Sequence, residues 1–146
     1  DGMVHFYLPY IPGVLRAEGY RSGMKVAEDI LYSDHDAAEL IVAADRTELA
    51  ADGHSVALVD VCLQDQHGIR YELEDREVSW RIDGVPCLVR IDNGNAWSTL
   101  PFDAKEMPLH NGHILLIVQA GHEQGEARLR LNVEGFEERT VSIILK

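Results

Sequence analysis

Trp97, Tyr71 and Phe102 are the side chains whose type and placement first suggest chemistry. All three fall in or beside segments that read as loops, and an exposed aromatic face is what a protein offers to the apolar side of a sugar ring. Trp97 is the strongest candidate, although a tryptophan in a long loop more often packs beneath that loop or against a neighbouring domain than it meets a ligand. His110-Asn111-Gly112-His113 sets two imidazoles on either side of an Asn-Gly turn, without a third ligand at clear spacing, and reads as a solvated turn. Asp34-His35-Asp36 and Asp92-Asn93-Gly94-Asn95 offer oxygens to a cation but lack calcium-loop spacing; the second is better explained as a tight turn with positive φ at Asn93 and Gly94. Glycoside hydrolysis needs two carboxylates about 5–10 Å apart across a sugar-sized cleft, and among 25 acids such pairs arise by chance. Ser98, His110 and His113 lack the context of an activated nucleophile. The residues therefore suggest a carbohydrate-contacting group of Trp97, Tyr71 and Phe102, and no catalytic, metal or cofactor site.

Composition narrows the partners. With 13 basic and 25 acidic residues the chain carries a formal charge of −12, which opposes a grip on nucleic acid or an anionic membrane surface. The acids are scattered, as in a solvated surface. No apolar run approaches the ~18–20 residues of a membrane-spanning helix, so no membrane insertion is expected; the longest such run, 114–118, suits a buried strand. The two cysteines, Cys62 and Cys87, are too few for a disulfide scaffold or a zinc site. Alternation sets Cys62 opposite Val59, Val61 and Leu63, which leaves a bridge to Cys87 open while favouring free, partly exposed thiols.

The elements that must position these residues are strands. At 46% hydrophobic residues the 146-residue chain can build a proper core. Segments 4–8, 14–20 and 25–32 read as extended, the last two joined by a hairpin turn in which Gly23 supplies positive φ, with Pro9 and Pro12-Gly13 breaking the chain before them. Segment 36–53 is ambiguous: Asp36 with Glu39 resembles a capping box and the alanines favour helix, whereas Leu40-Ile41-Val42 and the β context favour two short strands broken near Asp45-Arg46. Period-two alternation then marks strands over 54–64, 78–82, 88–91, 127–133 and 141–145, with Trp80 in the core. The irregular stretch 92–113 exceeds usual loop length and is expected to hold a short edge strand near 101–105. The fold class is all-β: an antiparallel, immunoglobulin-like sandwich over 36–146, preceded over 1–35 by a hairpin or three-strand remnant of another domain.

Particular stretches carry a resemblance. Asp92-Asn93-Gly94-Asn95, then Pro101-Phe102, then Asn111-Gly112-His113-Ile114-Leu115-Leu116-Ile117-Val118-Gln119 resemble the C-terminal immunoglobulin-like domain of bacterial family 2 glycoside hydrolases of the β-galactosidase kind. Supporting stretches run over 44–53, 59–61, 125–127 and 134–136, so that the match covers about 37–146 in order as well as content. Segments 10–17 and 23–27 resemble the closing strands of the domain that precedes it in those enzymes. Cys87 and Trp97 depart from the family's pattern, standing where small, polar or proline residues are expected.

The resemblance implies strand over 44–51, and it implies that the catalytic glutamates belong to an upstream barrel to which no segment here corresponds. The expected role is that of a non-catalytic accessory domain packing against other domains of the same polypeptide, in a periplasmic or secreted bacterial enzyme. A carbohydrate-binding module is the alternative, and a bacterial surface-protein repeat follows from fold class alone. Phe6, Leu15, Val26 and Ile30 should bury apolar surface in a domain the chain does not complete, so these strands are expected either to dock on the sandwich or to pair with a second copy in a homo-oligomer.

Overall fold

The computed structural model describes residues 3–9, 11, 13–33, 37, 39–73 and 75–146. Asp34-His35-Asp36, and with it the proposed capping box, lies outside the described residues, as does Pro12. The chain divides into two compact units, Asp1–His35 and Asp36–Lys146.

The first unit is a hairpin of β1 (Val14–Arg21) and β2 (Met24–Tyr32), turned at Ser22 (φ 49°) and Gly23 (φ 80°). Positive φ at both central residues matches the twist of the paired strands. Segment 4–8, expected to be extended, forms no strand, and Phe6, Leu15 and Val26 are exposed while Ile30 is half-buried. Among the described residues of this unit no second layer covers these side chains.

The second unit is a sandwich. One sheet has the order β3-β5-β9-β7, from β3 (Glu39–Ala44), β5 (Val56–Gln64), β9 (His113–Ala120) and β7 (Cys87–Asp92). The other has the order β4-β11-β10-β6-β8, from β4 (Glu48–Leu49), β11 (Arg139–Leu145), β10 (Gly125–Val133), β6 (Glu77–Gly84) and β8 (Glu106–Pro108). Every pairing is antiparallel except β4 with β11. Because alternate residues face opposite ways, Val59, Val61, Leu63, Ile114, Leu116 and Val118 meet Leu129, Leu131, Val133 and Ile143 between the sheets, all at 2% exposure or less.

Segment 39–49 resolves as strand. Apolar Leu40 and Leu49 each fill the core from a different sheet, which a helix over the same span could not do. The crossing falls at Asp45: its N–H donates to the Leu58 carbonyl (2.9 Å), and its Oδ1 accepts the Leu58 N–H (2.7 Å), so a side chain stands in for the ladder where the backbone leaves it. That bond from Leu58 is the main reason the Asp45 carboxyl titrates below its ordinary range.

The edge strand of the long stretch lies at Glu106–Pro108, not at 101–105. The earlier segment cannot join one ladder because its carbonyls serve both sheets. Phe102 accepts the Ile91 N–H (2.8 Å), Lys105 accepts the Trp80 N–H (3.0 Å), and Ala104 accepts the Trp80 indole Nε1–H (2.8 Å). Trp80 is 7% exposed, with the Lys105 ammonium 3.5 Å from its ring centroid. The cysteines are free, but Cys62 is buried at 9% exposure, because it sits on a central strand between Ile41 and His113; Cys87 is half-buried against the core. Burial pushes both thiols above their ordinary range.

Replacing Trp80 with Ala should cost about 3–5 kcal/mol of stability, measured by urea unfolding, against less than about 1 kcal/mol for Ile144→Ala on the outer face. A pH dependence follows from Asp52, whose Oδ1 accepts the N–H groups of His54 (2.8 Å) and Ser55 (2.7 Å) and whose Oδ2 accepts the Ser55 hydroxyl (2.9 Å). These bonds, the Ser55 N–H first, pull its pKa down to about 2. A carboxyl depressed in the folded state stabilises above its unfolded pKa and loses that contribution as pH falls from about 4 through about 2. An NMR titration should place the Asp52 midpoint near 2, and Ser55→Ala should move it upward.

Candidate functional site

The loop from Asp92 to Lys105 is held by its own side chains. Asp92 Oδ1 accepts the Gly94 N–H (2.9 Å), Asn93 Oδ1 accepts the Asn95 N–H (3.0 Å), and Asn95 Oδ1 accepts the Trp97 N–H (3.0 Å). The Asn95 carbonyl then accepts the Ser98 N–H (2.9 Å), and Ser98 Oγ accepts the Leu100 N–H (3.3 Å). Short polar side chains bonding the backbone two residues on are a reason these residue types favour turns. In this loop only Gly94 has positive φ (72°); Asn93, expected to share it, does not. Asn93 is 5% exposed and its Nδ2 donates to the Pro108 carbonyl (2.8 Å), fixing the loop to the edge strand.

The loop displays Trp97 at 91% exposure, so the indole does not pack beneath it. Phe102 (61%) and Leu100 (45%) are exposed on the same loop, beside a groove of about 290 Å³ lined by Asp92, Asn95, Ser98, Leu100, Phe102 and Met107. Tyr71, grouped with these aromatics on sequence grounds, is a core residue at 6% exposure, and its N–H donates to the Leu63 carbonyl (2.9 Å). The isolated bridge between Gln64 and Arg70 folds that segment back onto the end of β5 and carries Tyr71 inward. The structure thus leaves Trp97 and Phe102 as surface aromatics and removes Tyr71. Asn95, Ser98 and Leu100 line the groove with Phe102, Trp97 stands on the same loop, and the signal for the first two was the Asx and Ser turn chemistry itself.

The other candidate clusters are structural. His110 and His113 exchange backbone hydrogen bonds (3.0 and 3.1 Å) across Asn111 (φ 51°) and Gly112 (φ 67°), a tight two-residue hairpin. A side chain at position 112 would collide with the Tyr71 carbonyl, so glycine is required there twice over. His113 Nε2 meets Asp60 Oδ1 across the strand pair. Among the described residues no group of three or more His, Cys, Asp or Glu converges as a metal-binding set.

Two sheets and a parallel β4–β11 closure define an immunoglobulin-like β-sandwich module, with an end loop held by its own hydrogen bonds and bearing aromatics. Residues 40–142 match the family model described as glycoside hydrolase family 2 C-terminal domain 5, and the chain belongs to that family. It is 27% identical over 140 residues to the β-galactosidase BoGH2A of Bacteroides ovatus, a match covering 96% of this chain and 16% of that protein. A crystal structure of a family 2 glycosyl hydrolase from Bacteroides cellulosilyticus superposes with TM-score 0.82 at 29% identity, over 95% of this chain and 18% of that one. A β-glycosidase from Bacteroides vulgatus shares the fold, with TM-score 0.73 and 24% identity over 94% of this chain and 18% of that one. The chain therefore spans less than a fifth of the length of these relatives.

Asn93→Ala should cost about 1–3 kcal/mol, the range for a buried polar pairing lost, whereas Trp97→Ala should change stability by no more than about 0.5 kcal/mol. Urea midpoints of the two variants check this; equal losses would mean that the indole is packed.

Proposed function

We propose that the chain is a non-catalytic accessory domain of a multidomain family 2 glycoside hydrolase resembling a β-galactosidase, and that it packs against other domains of that polypeptide. The family match over residues 40–142 carries this reading, and the similarity to BoGH2A over 140 residues supports the likeness of the parent to a β-galactosidase. The disposition of the acids is in keeping with it. Glycosidases act through a pair of carboxylates held about 5–10 Å apart across a cleft. Here Asp45, Asp52 and Asp92 are bonded to backbone N–H groups in loops, and Asp83, Glu126 and Glu138 face arginines on the outer surface of a sheet. A periplasmic or secreted bacterial setting belongs to the same proposal.

The exposure of Trp97 favours a second reading, in which the end loop contacts carbohydrate bound by the parent enzyme. The two readings separate by calorimetry. The chain titrated with galactosides and plant polysaccharides should give no binding isotherm and release no sugar, while the full-length polypeptide should hydrolyse a chromogenic β-galactoside. An isotherm that Trp97→Ala abolishes would overturn the purely structural role in favour of the carbohydrate-contacting one.

A further inference from the structure

The two outer faces of the sandwich are unlike. On the β4-β11-β10-β6-β8 sheet the outward residues of β6 and β10 are Ser79, Arg81, Asp83, Arg128, Arg130 and Asn132, several of them in ion pairs. Arg130 Nε lies 2.8 Å from Asp83 Oδ2, and Arg81 Nη2 lies 2.9 Å from Glu138 Oε2. That is the surface an antiparallel sheet shows to water.

On the β3-β5-β9-β7 sheet the pairing registers set Leu58 beside Ile117, Ile41 beside Cys62, and Asp60 beside Leu115, all pointing away from the core. Leu58 and Leu88 are 39% and 46% exposed, and Ile41, Leu115 and Ile117 are half-buried with nothing stacked above the sheet among the described residues of this unit. The unbroken apolar run 114–118 has the composition of a strand covered on both faces. Within the sandwich only one face of β9 is covered: Ile114, Leu116 and Val118 are fully buried, and Leu115 and Ile117 are not.

We infer that the outer face of the β3-β5-β9-β7 sheet, centred on Leu58 and Ile117, is the surface by which this domain docks on another domain of the same polypeptide. The inference rests on the accessory-domain reading and specifies the face through which it operates. Two observations select the occupant. The chain accounts for only 16% and 18% of the length of the relatives it matches, so a polypeptide of their kind holds several times this length of further structure to cover the face. A second copy is disfavoured by charge, since two chains of −12 repel, and Asp60 within the face, with Glu39 and Asp92 on its edge strands, would meet their own kind. The complementary surface is accordingly apolar where it meets Leu58 and Ile117, with Lys or Arg facing the acids and an acceptor facing Arg90, which pairs beside Ile117.

The test is thiol accessibility in the full-length polypeptide. Leu58→Cys and Leu88→Cys place thiols on the inferred face, and Thr140→Cys places one on the charged face; each maleimide labelling rate is normalised to that of the urea-unfolded chain and assigned by peptide mass. The expected result is labelling at Leu58→Cys and Leu88→Cys at least about tenfold slower than at Thr140→Cys, unchanged by dilution. Equal rates at the three positions would overturn the inference. So would protection that vanishes on dilution, because the occupant would then be a second copy. Failure of the parent reading is separately visible, as absence of glycosidase activity in the same full-length preparation.

Discussion

Sheets in a sandwich share side chains but no ladder, so their relative position rests on packing unless some stretch of backbone is bonded to both. Segment 101–105 is such a stretch. Its carbonyls receive Ile91 from one sheet and Trp80, through both backbone and indole, from the other. The rest of this end of the domain depends on that clasp. It brings the chain to the position where β8 can pair with β6, it gives Trp80 a polar partner without which a buried indole would be costly, and it anchors the far end of the loop that carries Trp97. Asn93 anchors the near end through Pro108, so the displayed indole stands on a support tied at both sides.

Most of the sandwich was legible in the chain because period-two alternation is a direct image of a half-buried strand. Ala127, Leu129, Leu131 and Val133 alternate in sequence as they do in burial, and the same holds for 57–61. Segment 39–49 was not legible by propensity, since its alanines favour helix. What decides it is tertiary: Leu40 and Leu49 must reach the core from different sheets, a demand that exists only once the sheets do. The misplacement of the edge strand by a few residues has a similar origin, because the bonds that occupy 101–105 go to partners more than ten residues away in sequence. Tyr71 and Cys62 show the same limit for burial. Local pattern put both towards solvent, and a fold-back after β5 and a central position in the sheet cover them.

The candidate site was legible in type more than in membership. An aromatic in a Gly- and Asn-rich loop marked Trp97 and Phe102, and both are on the surface. Their neighbours Asn95, Ser98 and Leu100 were hidden because hydrogen bonds of Asx and Ser side chains assemble them, and sequence shows the residues capable of such bonds without showing which bonds form. The asymmetry of the outer faces is legible in retrospect as a difference between β10, polar at every second residue, and β9, apolar through five in a row.

The sheet crossing at Asp45 bears on how the domain carries force. By leaving one sheet and joining the other, the entering segment becomes β4, the parallel neighbour of the departing strand β11. In a parallel pair of entering and departing strands, tension between the two directions of chain pulls along both axes in opposite senses. The bonds Ile144 to Thr47, Lys146 to Leu49 and Ala51 to Lys146 are then loaded together, in shear, and do not peel apart one after another. A strand with only two residues in regular pairing is thereby held to β11 by bonds that resist sliding of the two strands as one set.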